Sequence, residues 1–289
     1  MGLRVHKITS KDAEYPDSLR HIASPPKHLF YVGAPLGDLD QRPVVAFVGS
    51  RKVSRYGQQI TEELATALAQ RGITVVSGLA MGVDAVAHQA VVAAGGRAIA
   101  VLPSGLDLIY PASNRQLAKQ IIETGGTLIT EYPFETEPYK TNFVARNRIV
   151  AGLAQATLIT EAAEKSGSLH TANFALEQGK EVLAVPGNIT SYLSAGTNNL
   201  IKSGATPITS AKDIFAALKM TIEDQAKHQV MAANAEEQII LKLLTAGINE
   251  GTELLAQSTL DIALFNQTLT MMEITGKIKA AGSDQWILI

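Results

Sequence analysis

The chain has 289 residues, enough for one large α/β core and a smaller second domain. Hydrophobic residues make up 46% of it and charged residues 18%, which excludes a charge-rich disordered protein and indicates a folded core. The absence of cysteine excludes disulfides, thiolate metal sites and cysteine nucleophiles. Because 25 lysine and arginine residues are balanced by 27 acidic residues, any basic footprint for a nucleic acid must be local.

The beginning of the chain has no apolar stretch of the kind found in secretory signals. No run of about 18 apolar residues occurs anywhere in the sequence. The sequence therefore predicts a soluble, cytoplasmic protein without membrane insertion. Residues 1–40 are expected to form an irregular N-terminal arm packed on the main domain, because Pro16, Pro25, Pro26 and Pro35 leave no room for a long helix.

Residues 41–220 show a repeated alternation of apolar strands and amphipathic helices. The run Val44 to Val48 is continuously apolar and ends at Gly49, as expected of a buried parallel strand. The alternation predicts an α/β fold with a Rossmann-like, doubly wound, mostly parallel sheet, whose ligand lies outside the carboxyl ends of the strands. The predicted strands are residues 44–48, 73–76, 98–102, 127–130, 156–160 and 181–185, and the predicted helices are residues 56–71, 83–94, 112–123, 146–153, 169–178 and 213–218.

The end of the chain reads as a second, small domain. Residues 221–234 are polar and are interpreted as a linker, and residues 235–289 follow the helix and strand order of a winged-helix domain. From residue 233 onward three lysines stand against seven acidic residues, which disfavours DNA in a groove-reading mode. We interpret this domain as a protein-contact module, with DNA binding kept as the alternative.

The turn after the first predicted strand carries Gly49, Ser50 and Arg51, followed by further cations and no acid as far as residue 57. Glycine allows close approach of a ligand, and free amides at the start of the next helix favour an anion. This pattern indicates a phosphate site. The turn after the second strand, residues 77–84, is equally compatible with a tight βα turn and with ligand contact. Asp84 and His88 are expected to bond each other or a helix end, not a metal.

Residues 140–148 form the second basic stretch. They contain Lys140, Arg146 and Arg148 without an acid, and Phe143 lies among them. Cations contact phosphates and an aromatic face stacks a base, a combination that suits single strands. The alternative is that Phe143 belongs to the core and that Arg148 pairs with a carboxylate such as Glu161.

The turn after the fifth predicted strand carries Ser166, Gly167 and Ser168. Hydroxyls and open amides at a helix start suit a phosphate, although an ordinary N-cap explains Ser168 equally well. Because the carboxyl ends of parallel strands meet at one edge of the sheet, these turns are expected to lie together.

With these motifs in this order, the chain resembles the DNA-processing protein A (DprA/Smf) family of bacteria over roughly residues 15–218. The motifs are Gly49-Ser50-Arg51, Ser77-Gly78 with Gly82 and Asp84, residues 102–107 with Tyr110-Pro111, residues 146–153, residues 166–169, Pro186-Gly187 and residues 196–201.

The resemblance implies a cytoplasmic homodimer that binds incoming single-stranded DNA during natural transformation, protects it and loads the RecA recombinase onto it. It implies no nucleotide cofactor and no enzymatic activity. Arg51, Lys140 and Phe143 are the DNA contacts implied by the resemblance, with Arg146, Asn147, Arg148, Ser166 and Gly167 lining the same pocket. Many family members begin with an additional small helical domain followed by a Pro-rich segment. In this sequence only the Pro-rich segment is seen.

Two other functions occur on folds of this class. Related Rossmann-like proteins hydrolyse nucleoside monophosphates with a Gly-Gly-x-Gly-Thr-x-x-Glu turn, but here Thr171 stands where the glutamate is needed. The glycine pattern of NAD sites is absent after the first strand, and the second strand ends in Ser77-Gly78 instead of an acid. Binding of single-stranded DNA is therefore the main prediction, and a nucleotide-binding or nucleotide-hydrolysing protein is the alternative.

Overall fold

A computed structural model describes residues 4–220, 234–282 and 284–288 of the chain. The chain divides into two compact units, Met1–Gln225 and Ala226–Ile289. The predicted linker, residues 221–234, lies outside the described residues except for Asn234.

The described part of the first unit is built on one nine-stranded sheet with strand order β1-β2-β6-β5-β4-β3-β7-β8-β9. The pairs β1–β2 and β2–β6 are antiparallel, and every other pair is parallel. The predicted α/β class with a mostly parallel sheet is thus confirmed. The strands are β1 (His6–Thr9), β2 (His28–Gly33), β3 (Val44–Val48), β4 (Thr74–Ser77), β5 (Ala98–Val101), β6 (Thr127–Thr130), β7 (Ala156–Ile159), β8 (Glu181–Ala184) and β9 (Thr206–Pro207).

Helices cover both faces of this sheet. Successive residues of β3 belong to two separate hydrophobic clusters, with Val45 and Phe47 in one and Val44 and Ala46 in the other. Because successive side chains of a strand point to opposite faces, both faces are buried, which explains the continuous apolar run. The helices are α1 (Asp17–Arg20), α2 (Arg55–Gln70), α3 (Val83–Ala93), α4 (Arg115–Glu123), α5 (Lys140–Leu153), α6 (Ser168–Glu177), α7 (Ala195–Lys202) and α8 (Ala211–Ala217).

The N-terminal arm is more regular than expected. Its longest helix is the four-residue α1, as the prolines predict, but β1 and β2 extend the sheet beyond β6. The Tyr31 ring is buried, stacks on His6 at 4.9 Å and donates its hydroxyl to Glu14 at 2.8 Å. The expectation of an irregular arm was therefore wrong for these strands, because β2 pairs with β6, about 100 residues further along the chain, and β1 pairs with β2.

Helix α5 begins six residues earlier than predicted. It begins at Lys140, so that Lys140 and Phe143 lie in its first turn and not in a loop. The sequence obscured this start because Thr141 and Asn142 are weak helix formers. The earlier start places Lys140 and Phe143 one turn apart on the same helix face.

In its described residues, the second unit contains three helices and a hairpin. Its core is formed by apolar side chains from each of these elements, including Ile240, Leu254, Phe265 and Ile278. The order of elements matches the one predicted, and the assignment as a winged helix stays a prediction. No described helix of either unit is both long and apolar enough to span a membrane. The elements are α9 (Ala235–Thr245), α10 (Gly251–Ser258), α11 (Ile262–Ile274), β10 (Ile278–Gly282) and β11 (Gln285–Leu288).

Candidate nucleic-acid interface

A cleft of about 490 Å³ opens at the carboxyl edge of the sheet in the first unit. It is formed by the segments that follow β3, β4 and β7, by the first half of α5 and by a turn before α7. Nine of the eleven predicted site residues line this cleft. They are Gly49, Ser50, Arg51, Phe143, Arg146, Asn147, Ser166, Gly167 and Ser168. We refer to it as the first cleft.

The floor of the first cleft is formed where β3 ends. The Ser50 amide donates to the Glu161 carbonyl at 2.7 Å, and its hydroxyl accepts the Lys52 amide at 3.1 Å. A Cβ on Gly49 would lie 2.5 Å from a methyl carbon of Val83 and 2.8 Å from the Glu161 carbonyl oxygen, so only glycine fits there. These contacts fix the turn that presents Arg51 to solvent.

Arg51, Phe143 and Tyr110 form one group at the mouth of the cleft. The guanidinium carbon of Arg51 lies 5.1 Å from the centroid of the Phe143 ring, a cation–π contact. The Tyr110 ring packs edge-on against Phe143 with the centroids 5.5 Å apart. Phe143 is only partly buried, and Arg51 is exposed. The alternative that Phe143 is an ordinary core residue is therefore wrong, and the group offers a cation and an aromatic surface side by side.

Arg146 lies beneath this group and is 3% exposed. Its Nη1 donates to the carbonyls of Gly78, at 2.6 Å, and Val101, and Nε donates to Asn147 at 3.3 Å. Burial lowers the pKa of Arg146 to about 10, opposed by the nearby carboxylate of Asp84. Arg146 thus supplies positive potential under the cleft, while the hydrogen bonds of its Nη1 tie α5 to the ends of β4 and β5.

The turn after β4 is closed by its own hydrogen bonds, and its residues Ala80 and Asp84 also line the first cleft. The Asp84 carboxylate accepts the amides of Gly78 at 3.0 Å and Ala80 at 3.4 Å, which holds the turn closed. Burial raises the pKa of Asp84, and Arg146 opposes that rise. His88 is fully buried and bonds the Ile99 carbonyl through Nε2 at 3.2 Å, and burial lowers its pKa to about 4. Asp84 therefore bonds the turn before its helix and His88 bonds β5, so the expectation that the two bond each other or a helix end was wrong. No group of metal ligands occurs among the described residues.

The turn at residues 166–168 forms the opposite wall of the cleft. The hydroxyls of Ser166 and Ser168 lie 2.8 Å apart, and the Ser168 amide reaches the Ser166 hydroxyl at 3.4 Å. Ser168 is the first residue of α6 and Gly167 is its N-cap, so the N-cap explanation of Ser168 was wrong. A Cβ built on Gly167 meets nothing within 4 Å, which shows that the space above this residue is open to a ligand.

Lys140 and Arg148 lie outside the lining of the first cleft. Lys140 is exposed at the start of α5, one turn before Phe143, and so stands at the rim. Arg148 forms a two-pronged ion pair with Glu131, with N–O distances of 2.6 and 2.7 Å, and its Nε donates to the Ser24 carbonyl at 2.9 Å. The expectation that Arg148 lines the pocket was therefore wrong, because its charge is used to fasten α5 to β6 and to the N-terminal arm.

The alternative that Arg148 pairs with a carboxylate is confirmed, but the partner is Glu131 and not Glu161. Glu161 is 2% exposed and accepts the amide and the hydroxyl of Ser54 at 2.8 and 2.6 Å, at the start of α2. Whether Arg148 pairs with Glu131 or with Glu161 depends on which strand end lies beside α5. The spacing of residues in the sequence does not reveal this.

Sequence reasoning missed several residues of the site. Tyr110 was quoted only as part of a motif, and Lys52, His170 and Tyr192 line the cleft without having been predicted. Lys52 was visible as a neighbour of Arg51. Tyr192 lies on a turn after β8 and is 71% exposed, a position without a sequence signal beyond its being aromatic.

A model of the DNA recombination-mediator protein A family matches residues 6–219. The DNA processing protein DprA of Bacillus subtilis is 41% identical over 217 residues, covering 75% of this chain and 72% of that protein. The Protein Smf of Synechocystis sp. is 43% identical over 229 residues, which cover 77% of this chain and 56% of that protein. This chain therefore spans little more than half the length of that relative.

Solved structures are similar as well. DNA processing protein A from Streptococcus pneumoniae has a TM-score of 0.68 and 39% identity and covers 74% of each chain. The DNA processing protein A from Helicobacter pylori, whose structure concerns its single-stranded DNA binding mode, has a TM-score of 0.67 and 32% identity, and the match covers 75% of this chain and 97% of that one. Together with the match over residues 6–219, these similarities show that the chain belongs to the DNA recombination-mediator protein A family.

Proposed function

We propose that the first cleft binds single-stranded DNA with little base preference. The observation that carries this proposal is the group of Arg51, Phe143 and Tyr110 at the mouth of an open, basic cleft. A base stacks on the exposed aromatic surface while Arg51 contacts a phosphate, and neither contact depends on the base. A single strand is favoured over a duplex because only unpaired bases present their faces to a side chain.

The charges around the cleft suit a strand of phosphates. Arg51, Lys52 and Lys140 are exposed at its mouth and rim, and Arg146 lies beneath. Among the described lining residues the only carboxylate is that of Asp84, which is 7% exposed and engaged with the turn amides. The hydroxyls and the open space at residues 166–168 complete a surface on which phosphates can lie.

We further propose that the protein acts in the cytoplasm as a homodimer during natural transformation, protecting incoming strands and loading the RecA recombinase onto them. This finer role rests on family membership and on the similarity to the Helicobacter pylori protein with its single-stranded DNA binding mode. The acidic second unit is proposed to contact a protein partner, because its charge disfavours a nucleic acid.

The proposed role is non-catalytic. Thr171 occupies the position where the related nucleotide hydrolases need a glutamate, and it is 1% exposed. Asp84 and Glu161 are both buried and accept hydrogen bonds from the protein itself, so neither is poised to donate a proton to a bound ligand.

The proposal is tested by fluorescence anisotropy of labelled oligo-dT and of a matching duplex at two salt concentrations, with the wild type and a Lys140→Ala/Phe143→Ala variant. We expect salt-sensitive binding that prefers the single strand and is lost in the variant. If about three phosphates are neutralised, the logarithm of the binding constant should fall with a slope of about −2 against the logarithm of salt concentration. Absence of binding to either DNA would overturn the proposal and favour a small nucleotide as the ligand.

A further inference from the structure

We propose that a second cleft, directly beside the first, holds one base of the same DNA strand. This inference rests on the proposed function and assigns a base to a cleft outside the predicted DNA contacts, lined in part by the Pro186-Gly187 motif. The second cleft has a volume of about 500 Å³, which is ample for a nucleobase. Its walls include Ser54, Tyr56, Glu161, Asn188 and Ser191.

The two clefts are lined by neighbouring residues of the same segments. Residues 50–52 line the first cleft, and Ser54 and Tyr56, immediately after them, line the second. In the turn before α7, Tyr192 faces the first cleft while Ser191 lines the second. Because adjacent residues of this turn line the two clefts, a DNA strand that leaves the first cleft past Tyr192 reaches the second cleft next.

The chemistry of the second cleft differs from that of the first. Its described lining contains no lysine, arginine or histidine, and it includes the carboxylate of Glu161, which disfavours a phosphate. The remaining walls offer serine hydroxyls, the Asn188 amide and the ring of Tyr56, which is 47% exposed. Hydrogen-bonding groups beside an aromatic ring fit a neutral, planar ligand with polar edges, which is the description of a nucleobase.

The second cleft is held in shape before any ligand binds. The Tyr56 hydroxyl donates to the Pro186 carbonyl at 2.9 Å, which fixes the ring. The Asn198 side chain accepts the Gly187 amide at 3.2 Å and donates to the Gly187 carbonyl at 3.0 Å. A base entering the cleft therefore does not have to order this loop, which reduces the entropy cost of binding.

The inference is tested by filling the second cleft. Ser191→Phe places a ring in it, and Ile189→Phe makes a similar addition on the same loop at a residue that is 91% exposed and lines neither cleft. Anisotropy is measured with oligo-dT and with an oligonucleotide of the same length in which every base is absent. We expect Ser191→Phe to weaken oligo-dT binding about tenfold, the loss expected for one stacked base, and Ile189→Phe to match the wild type. On the abasic strand all three proteins should bind alike.

A second pair of variants separates base stacking from support of the loop. Tyr56→Phe keeps the ring and loses the bond to Pro186, whereas Tyr56→Ala loses both. Stacking predicts that Tyr56→Phe loses much less affinity for oligo-dT than Tyr56→Ala, which loses about tenfold. Equal losses in both variants, or a loss of abasic-strand binding in Ser191→Phe, would overturn the second site. If oligo-dT binding survives in Ser191→Phe but falls in Phe143→Ala, the second site is refuted and the proposed function stands; if the wild type binds no strand, the proposed function itself fails.

Discussion

The guanidinium of Arg51 lies over the ring of Phe143, with its carbon 5.1 Å from the ring centroid. The two residues come from different parts of the chain, one from the turn after β3 and the other from the first turn of α5. Each holds the other at the mouth of the first cleft, so that the cation that meets a phosphate and the ring that meets a base are positioned together.

The first prediction concerns Arg51. Because its side chain is exposed, Arg51→Ala should leave the thermal midpoint of unfolding nearly unchanged while weakening oligo-dT binding by about tenfold or more. Arg51→Lys should weaken binding less, since it keeps the charge and loses the planar contact with Phe143. An unchanged affinity in Arg51→Ala, measured by anisotropy, would show that the site lies elsewhere.

The second prediction compares two glycines of the same edge. A Cβ on Gly78 would lie 2.3 Å from Nη2 of Arg146, so Gly78→Ala should lower the free energy of unfolding by about 1–3 kcal/mol. Gly167→Ala should leave stability unchanged, because a Cβ there meets nothing within 4 Å and the backbone is in the right-handed helical region. Urea unfolding of both variants tests this difference. Equal stability of the two would show that Arg146 can move aside at little cost.

The third prediction separates Arg148 from the binding site. The side chains of Arg148 and Glu131 are 12% and 18% exposed, so their ion pair is largely buried. Arg148→Ala removes one partner of this pair and should lower the free energy of unfolding by at least about 2 kcal/mol. The folded variant should bind oligo-dT nearly as the wild type does. A double-mutant cycle with Glu131→Gln measures the coupling between the two residues. A large loss of affinity with unchanged stability would return Arg148 to the DNA contacts.

The fourth prediction concerns pH. The pKa of His88 is lowered by burial to about 4, while in the unfolded chain it is about 6.5. Between these values the unfolded state binds the proton and the folded state does not, so the free energy of unfolding should fall as the pH is lowered from about 6.5 to about 4. Burial raises the pKa of Asp84, so Asp84 binds a proton more readily in the folded protein than in the unfolded chain. Its contribution to the free energy of unfolding therefore rises as the pH is lowered, opposite to that of His88.

The measurement for His88 is urea unfolding across this range with the wild type and His88→Gln. Glutamine keeps a donor for the Ile99 carbonyl but does not titrate, so the contribution of Asp84 is common to both proteins. The variant should show a clearly shallower decline of stability between pH 6.5 and 4. The same slope in both proteins would assign the acid sensitivity to other groups.

The sequence by itself determined the α/β class and most of the first cleft. Apolar runs that end in glycine mark buried parallel strands, and the carboxyl ends of such strands meet at one edge. Residues standing directly after the strands, such as Ser50, Arg51 and Ser166, could therefore be brought together without a structure. Phe143 comes to lie beside Arg51 because the loop after β6 returns the chain to the carboxyl edge of the sheet.

Tertiary structure decided the partners of side chains whose neighbours are distant in the chain. Arg148 was indistinguishable from Arg51 as a cation in a basic stretch, yet it pairs with Glu131 and with the Ser24 carbonyl of the N-terminal arm. The strands of that arm were missed because β2, on which β1 pairs, joins the sheet through a long-range contact with β6. The second cleft was not predicted, because the space enclosed by residues 54–56, Glu161 and residues 186–194 depends on how these segments pack and not on their spacing in the chain. Local spacing determines which residues lie at the edge of the sheet. Long-range packing determines which of them bond other groups of the protein and which remain free to contact a ligand.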